Sequence, residues 1–132
     1  TDPITLAQVA AARARPGARY VAAPDGLAGV SAAPGVTLVQ AVPGAGADRK
    51  QVAAALAQTA AAAARGAASL VLTGGATAEA VLDVLDVSVL DLLGEVQPGL
   101  PLSGGGGWRI VTKSGGFGDA DALVRLMQEA GA

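Results

Sequence analysis

Apolar positions along this chain follow two patterns, short continuous runs and longer stretches in which they recur every third or fourth residue. Continuous runs bounded by glycine or proline are typical of buried strands, and the wider spacing is typical of helices. The continuous runs predict strands at Arg19–Ala23, Val36–Val42, Ser69–Leu72, Val87–Val96 and Trp108–Thr112. The spaced stretches predict helices at Thr5–Arg15, from a cap at Asp48 to about Arg65, at Thr77–Leu85 and at Asp119–Ala130.

Glycine and proline residues mark the ends of these predicted elements. Pro16 and Gly17 stop the first helix, and Gly66 ends the second. Longer breaks predict loops at Pro24–Gly35, Pro43–Ala47 and Gln97–Gly107. The run Gly104–Gly107 carries no side chains, and it predicts a flexible hinge or lid.

The order of the predicted elements defines the fold class. It reads helix, strand, strand, helix, strand, helix, strand, strand, helix, and alternation on this scale is typical of α/β proteins. We therefore expect a three-layer α/β sandwich, with a mostly parallel or mixed sheet flanked by helices. In such folds ligands bind beyond the carboxyl ends of the strands.

The first of two glycine-rich signatures follows the predicted strand Ser69–Leu72. Gly74 and Gly75 let the main chain approach a ligand closely, because no Cβ stands in the way. The helix after them can aim N–H groups at phosphate, and the Thr77 hydroxyl can bind a phosphate oxygen or cap the helix. A tight turn with a threonine cap explains the same residues without a ligand. The spacing matches neither a P-loop nor a dinucleotide fingerprint.

The second signature runs from Lys113 to Asp119, after the last predicted strand. Lys113 can neutralise charge on a triphosphate, and the pair Gly115 and Gly116 favours ligand contact. Alternatively, Lys113 is a solvated lysine at a sheet edge. For Asp119 we favour a helix cap over a role in holding magnesium through water. Two such turns, one with a lysine, predict a nucleotide-phosphate site.

A third segment, Gly94–Leu102, can bend over a ligand and offer apolar side chains to an adenine ring. Glu95 is placed to orient a ribose hydroxyl or a metal-bound water. A rigid surface loop is the alternative interpretation. Trp108 is expected to pack within the protein rather than to stack on a ligand.

Composition narrows the chemistry. The 132 residues fit one domain, and the absence of Cys and His excludes thiol nucleophiles, His general bases and zinc sites of the Cys/His type. Phosphoryl transfer tolerates this composition because positioning and charge neutralisation do most of the catalysis.

The formal net charge of −2 indicates no nucleic-acid partner. No apolar run reaches the length of a membrane span and no secretory signal is present, so we expect a cytoplasmic protein. Because the sequence opens with Thr1 rather than with an initiator Met, we expect it to be a piece of a longer polypeptide.

These three segments, in this order, give the chain a family resemblance. The motifs Leu-Thr-Gly-Gly-x-Thr-Ala, Gly-Glu-x-x-Pro-Gly-x-Pro and Thr-Lys-Ser-Gly-Gly-Phe-Gly resemble the carboxyl-terminal nucleotide-binding domain of the four-carbon acid sugar kinases. The opening Asp2–Gln8 is also similar to a segment of that family. The resemblance therefore spans nearly the whole chain, residues 1–132, as one nucleotide-binding domain.

The resemblance implies an ATP- and Mg²⁺-dependent kinase of a sugar acid such as threonate, erythronate or 3-oxo-tetronate. In that family an amino-terminal domain, absent here, binds the small-molecule substrate, so we expect this chain alone to be inactive. By motif, the segment from Gly74 through Ala76 to Thr77 would line the phosphates, and Gly115 and Gly116 would make a second ATP contact. The family often has a carboxylate where this chain has Ala76. The resemblance identifies no catalytic residue and no protein ligand of a metal in this chain.

Two other functions stay open at this level. The first is a non-catalytic module that binds a nucleotide or a phosphorylated metabolite. The reason for considering it is Ala76, which has no carboxylate. The second is a structural domain that mediates assembly. A homo-oligomer is compatible with the sequence.

Overall fold

The computed structural model describes residues 3–16, 18–31, 35–113, 121–122 and 124–125. The helices are α1 (Pro3–Arg13), α2 (Arg49–Ala64) and α3 (Gly75–Val84). The strands are β1 (Ala18–Pro24), β2 (Val36–Val42), β3 (Ser69–Thr73), β4 (Asp91–Gln97), β5 (Leu100–Gly105) and β6 (Trp108–Lys113). This order confirms the predicted α/β fold class.

The strands form two sheets rather than the single sheet expected. β1 and β2 pair in parallel, with Ala18 opposite Val36. The other four strands form a mixed sheet in the order β3-β6-β5-β4, in which β3 and β6 are parallel and the β5 pairings are antiparallel. Neighbours in the chain are thus not always neighbours in the sheet, and β6 lies between β3 and β5.

The four-stranded sheet is apolar on both faces, because successive side chains of a strand point in opposite directions. On one face, Ile110 of β6 packs in a cluster with Leu72 and residues of α2 and α3. On the other face, Val111 packs with Leu100 and with residues of α1, β1 and β2. The four-stranded sheet therefore has α2 and α3 against one face and α1 against the other. Residues of the small sheet join the second cluster, and β2 also contacts α2.

Helix α2 begins at the cap that the sequence predicts. The Asp48 side chain accepts a hydrogen bond from the Gln51 N–H at 2.8 Å, and the Gln51 side chain accepts one from the Asp48 N–H at 3.1 Å. This reciprocal capping box satisfies two backbone donors that the first turn of a helix leaves without partners.

Asp48→Ala is expected to lower the free energy of unfolding by about 1 kcal/mol, because it removes the cap of α2. Urea denaturation followed by circular dichroism measures the change. Asp83→Ala is a matched control, since it removes an exposed carboxylate near the carboxyl-terminal end of a different helix, α3. Equal losses in the two variants would contradict a specific cap at Asp48.

The predicted loop Gln97–Gly107 is wrong, because most of it forms β5. Leu100 and Ser103 are buried on this strand, and β4 and β5 make a hairpin. Proline lacks an N–H, so Pro101 disfavours a regular strand. The strand forms nevertheless, because Pro101 pairs with Glu95, beside a register shift between Glu95 and Gln97.

The predicted hinge or lid at Gly104–Gly107 is also wrong. Gly104 and Gly105 belong to β5, and Gly106 and Gly107 form a tight turn to β6 with φ values of 59° and 90°. Two consecutive positive φ angles suit a two-residue hairpin turn, which explains why glycine occupies both positions. Strand β4 begins at Asp91, so residues 87–90 of the predicted strand Val87–Val96 are not part of it.

Two further differences concern the last helices. Helix α3 begins at Gly75 rather than at Thr77, so Ala76 and Thr77 belong to its first turn. Of the predicted helix Asp119–Ala130, residues 122, 124 and 125 are helical, and 119–120, 123 and 126–130 lie outside the described residues.

Candidate functional site

The two glycine signatures start from adjacent points of the sheet. Thr73, the last residue of β3, is the pairing partner of Lys113, the last residue of β6. The Gly74 N–H donates a hydrogen bond to the Lys113 carbonyl at 2.9 Å, which extends the parallel ladder into the first glycine turn. Both signatures therefore leave the same edge of the sheet, although they are about forty residues apart in the sequence.

The third predicted segment reaches the same edge. Leu102 of β5 pairs with Val111, and the antiparallel direction of β5 places Leu100 toward the carboxyl end of β6. The turn between β4 and β5, Gln97–Leu100, thus lies beside the ends of β3 and β6. Glu95 is exposed, and one of its carboxylate oxygens accepts a hydrogen bond from the Gly99 N–H at 3.2 Å. Its contact with a ligand stays a prediction.

The amino terminus of α3 is the open part of this edge. Gly74 precedes the helix with a φ of 90° and no side-chain cap, and the Ala78 N–H bonds the Gly74 carbonyl at 3.0 Å. Helix geometry leaves the N–H groups of Gly75, Ala76 and Thr77 without intrahelical acceptors. Among the described residues, no atom lies within 4 Å of a Cβ built on Gly74 or on Gly75.

Helix α2 has a different amino terminus. It too follows a strand and a glycine-containing loop, but Asp48 and Gln51 close it with their capping box. A carboxylate already occupies the position in which an anion would bind. Of these two helix termini, only that of α3 leaves its donors available to a phosphate group.

Lys113 is 3% exposed, so the interpretation as a solvated edge lysine is wrong. The residue lies at the end of β6, and its position two residues after Val111 gives it the face of the sheet that α1, β1 and β2 cover. Lysine is almost never fully buried unless its ammonium group has an acceptor or an anion as partner.

The other predicted site residues differ in what the structure describes. Ala76 is exposed and Thr77 is half-buried, in the first turn of α3. Gly115 and Gly116 lie outside the described residues, as does Asp119. Trp108 packs in the core as predicted, and its indole N–H donates to the Ala64 carbonyl at 2.9 Å.

The described residues of this edge contain no cage for a metal. Among them no three Asp or Glu residues converge in a way that could hold a cation. Magnesium is often held by nucleotide phosphates and water with few protein carboxylates, so this finding is compatible with a magnesium–nucleotide complex. None of the described helices has both the length and the apolar character needed to span a bilayer.

Sequence reasoning missed two features of the site. The hydrogen bond from Gly74 to Lys113 joins distant segments, and no local pattern indicates it. The hairpin that brings residues 97–100 to the site did have a signal, the alternation of Leu100, Leu102 and their polar neighbours. The proline and glycine residues of that segment obscured it.

Two curated relatives match about half of the chain. A D-threonate kinase of Bordetella bronchiseptica is 49% identical over 70 residues, which are 49% of this chain and 17% of the relative. A D-threonate kinase of Cupriavidus necator is 42% identical over 65 residues, which are 45% of this chain and 16% of the relative. The chain therefore spans about a sixth of the length of these relatives.

Solved structures match nearly the whole chain. A domain of unknown function from Bordetella bronchiseptica, crystallised with citrate as a domain-swapped dimer, has a TM-score of 0.79 and 35% identity. The match covers 96% of this chain and 38% of that one. A putative tRNA synthase of Salmonella typhimurium shares the fold, with a TM-score of 0.70, 19% identity, and coverage of 98% of this chain and 38% of that one.

A protein-family model also matches this chain. The family described as "nucleotide-binding C-terminal domain" matches residues 31–123, which is more than half of the chain. The match contains α2, α3 and the four-stranded sheet with its site edge. The chain belongs to this family of nucleotide-binding C-terminal domains.

Proposed function

We propose that this chain is the ATP-binding domain of a kinase that phosphorylates a hydroxyl of a four-carbon sugar acid, with threonate as the first candidate. The observation that carries the proposal is the hydrogen bond between Gly74 and Lys113, which unites two glycine signatures at one edge. The D-threonate kinases among the relatives support the reaction class. In this proposal the sugar acid binds to a second, amino-terminal domain.

The described residues have separate tasks in this proposal. The N–H groups of Gly75, Ala76 and Thr77 bind phosphate oxygens at the positive end of α3. Lys113 neutralises phosphate charge, and the turn Gln97–Leu100 forms the wall beside the nucleotide. Magnesium, bound with ATP, would neutralise charge that develops on the transferred phosphoryl group. Gly115 and Gly116 are proposed as further ATP contacts, and Glu95 as a residue that orients ribose or water.

Ala76 favours a second candidate function, a non-catalytic module that binds a nucleotide or a phosphorylated metabolite. This residue is exposed in the first turn of α3 and brings no carboxylate to the site. The two candidates differ in one measurement, the phosphorylation of threonate by the longer protein. Transfer of phosphate from ATP supports the kinase, and tight Mg-ATP binding without transfer supports the module.

Gly75→Val is expected to weaken Mg-ATP binding about tenfold or more, because the new side chain fills the space beside the α3 donors. The fold should persist, since a Cβ at Gly75 meets no atom of the described residues within 4 Å and the residue has no positive φ. Isothermal titration calorimetry gives the affinity, and thermal unfolding gives the stability.

Gly29→Val is the matched control, because Gly29 also has open space around its Cβ position but lies outside the site. Its Mg-ATP affinity should stay within about twofold of the parent protein. Two results would count against the proposed site: no binding of Mg-ATP to the parent protein at millimolar concentration, or equal affinity of the Gly75 variant.

The assembly of the longer protein is part of this proposal. The structural relative from Bordetella bronchiseptica is a domain-swapped dimer. Its similarity over 96% of this chain supports a homo-oligomer for the longer protein to which this domain belongs.

A further inference from the structure

Residues 83–95, from the end of α3 into β4, form a surface that, apart from Glu95, the proposed kinase site does not use. Five of its large apolar side chains are exposed: Val84 (36%), Leu90 (37%), Leu93 (61%), Val89 (69%) and Leu92 (72%). We call this surface the 83–95 edge. Several exposed large apolar side chains within one short segment are typical of an interaction site.

The position of β4 explains why these side chains are uncovered. β4 is the outer strand of its sheet and pairs only with β5 among the described strands. Asp91 pairs with Gly104 and Leu92 pairs with Ser103, so the neighbouring strand has only small residues beside Leu92. An apolar edge strand without cover is a binding surface for another polypeptide.

All charged side chains of the 83–95 edge are negative. The segment contains no Lys or Arg, and its four carboxylates are all exposed: Asp83, Asp86, Asp91 and Glu95. Asp83 lies in the last turn of α3, where the helix dipole disfavours negative charge. These acidic side chains form no ion pair with the described residues. An apolar surface with an acidic rim is complementary to an apolar surface with a basic rim.

A second copy of this chain is a poor occupant of the same surface. A symmetric contact would bring the four carboxylates of each copy into one interface, and like charges in an interface are destabilising. The pairing register of β4 also shifts between Leu92 and Gly94, and such irregular edges oppose regular pairing between identical strands.

We propose that the 83–95 edge binds a polypeptide segment that presents apolar side chains flanked by Lys or Arg. The apolar contacts are made by Leu92 and Val89, and the carboxylates of Asp83 and Asp91 select the basic flanks. Asp91 lies toward the Gly106–Gly107 turn, at the opposite end of the sheet from Lys113. The partner therefore leaves the nucleotide site open, and the inference goes beyond the proposed function.

Two synthetic peptides test the proposal on the full 132-residue chain. Both alternate valine and leucine with threonine and have blocked ends, and they differ only in a lysine pair or a glutamate pair at the flanks. Fluorescence anisotropy should show at least tenfold tighter binding of the lysine peptide. Leu92→Lys should lower that affinity at least tenfold, whereas Leu27→Lys, at a leucine with 67% exposure elsewhere, should change it less than twofold.

Charge reversal gives an independent readout. Asp91→Lys combined with Asp83→Lys should reverse the preference toward the glutamate peptide, with an unchanged melting temperature as the check on folding. Equal affinity for the two peptides, no binding of either at millimolar concentration, or equal losses in the Leu92 and Leu27 variants would each overturn the proposal. Self-association of the parent chain that Leu92→Lys abolishes would overturn it too, because the occupant would then be a second copy.

Discussion

Lys113→Met is expected to weaken Mg-ATP binding by about 10- to 100-fold. A hydrogen bond to a charged group contributes about 1.5–3 kcal/mol, and each 1.4 kcal/mol is a factor of about ten in affinity. The Lys113 carbonyl accepts the Gly74 N–H, so the substitution removes a positive charge at the sheet edge from which the first glycine turn leaves. Methionine retains an unbranched apolar stem of similar length, which limits the packing loss at this buried position.

The matched control is Arg109→Met, on the same strand. Arg109 is exposed and pairs with Ser69, at the opposite end of β3 and β6 from the site. The two variants change the net charge equally, and titration calorimetry compares their affinities at one ionic strength. Equal weakening by both would mean that the overall charge of the chain controls binding. An unchanged affinity in the Lys113 variant would remove this residue from the site.

Gly26→Ala is expected to lower the free energy of unfolding by about 3–5 kcal/mol, an exceptional loss for one added methyl group. Gly26 follows β1 with a φ of 87°, and an alanine Cβ there would lie 2.8 Å from the Leu56 nitrogen and closer still to the Val52 carbonyl of α2. The Gly26 carbonyl also accepts a hydrogen bond from the buried Thr59 hydroxyl at 2.7 Å. Movement of the loop away from the helix backbone would break this hydrogen bond between Thr59 and Gly26.

Gly29→Ala tests the same substitution where the structure leaves room. Gly29 has no positive φ and no atom of the described residues within 4 Å of its Cβ position, so the free energy of unfolding of this variant should change by less than about 1 kcal/mol. Urea denaturation at one temperature compares the two variants. A loss below about 1 kcal/mol for Gly26→Ala would contradict the close approach of this loop to α2.

Much of the fold was predictable because its elements follow local rules. The cap at Asp48, the strand Val36–Val42 and the helix after the first glycine turn each have a signal in adjacent residues. The segment 97–107 was not predicted correctly, because glycine and proline residues that usually break strands lie within a hairpin. Strand β5 is stable there because Leu100 fits the core and a register shift accommodates Pro101.

The sequence predicted which residues belong to the candidate site, but not how the fold arranges them. Gly74 and Gly75 had the right neighbours to be recognised as a possible phosphate turn, and the order of three motifs along the chain was enough to indicate the family. The burial of Lys113 had no sequence signal, since a lysine at the end of a strand is usually solvated. Its burial depends on elements that cover β6 from distant parts of the chain.

By itself, the sequence determined the alternation of helices and strands, the positions where only glycine permits the turn, and a chemistry without Cys or His. These properties depend on side-chain periodicity and backbone freedom, which act over a few residues. Tertiary structure decided that β6 lies beside β3, that Lys113 is buried, and that the 83–95 edge is exposed. Pairing between strands about forty residues apart depends on the whole core, because each face of the sheet must be covered by other layers.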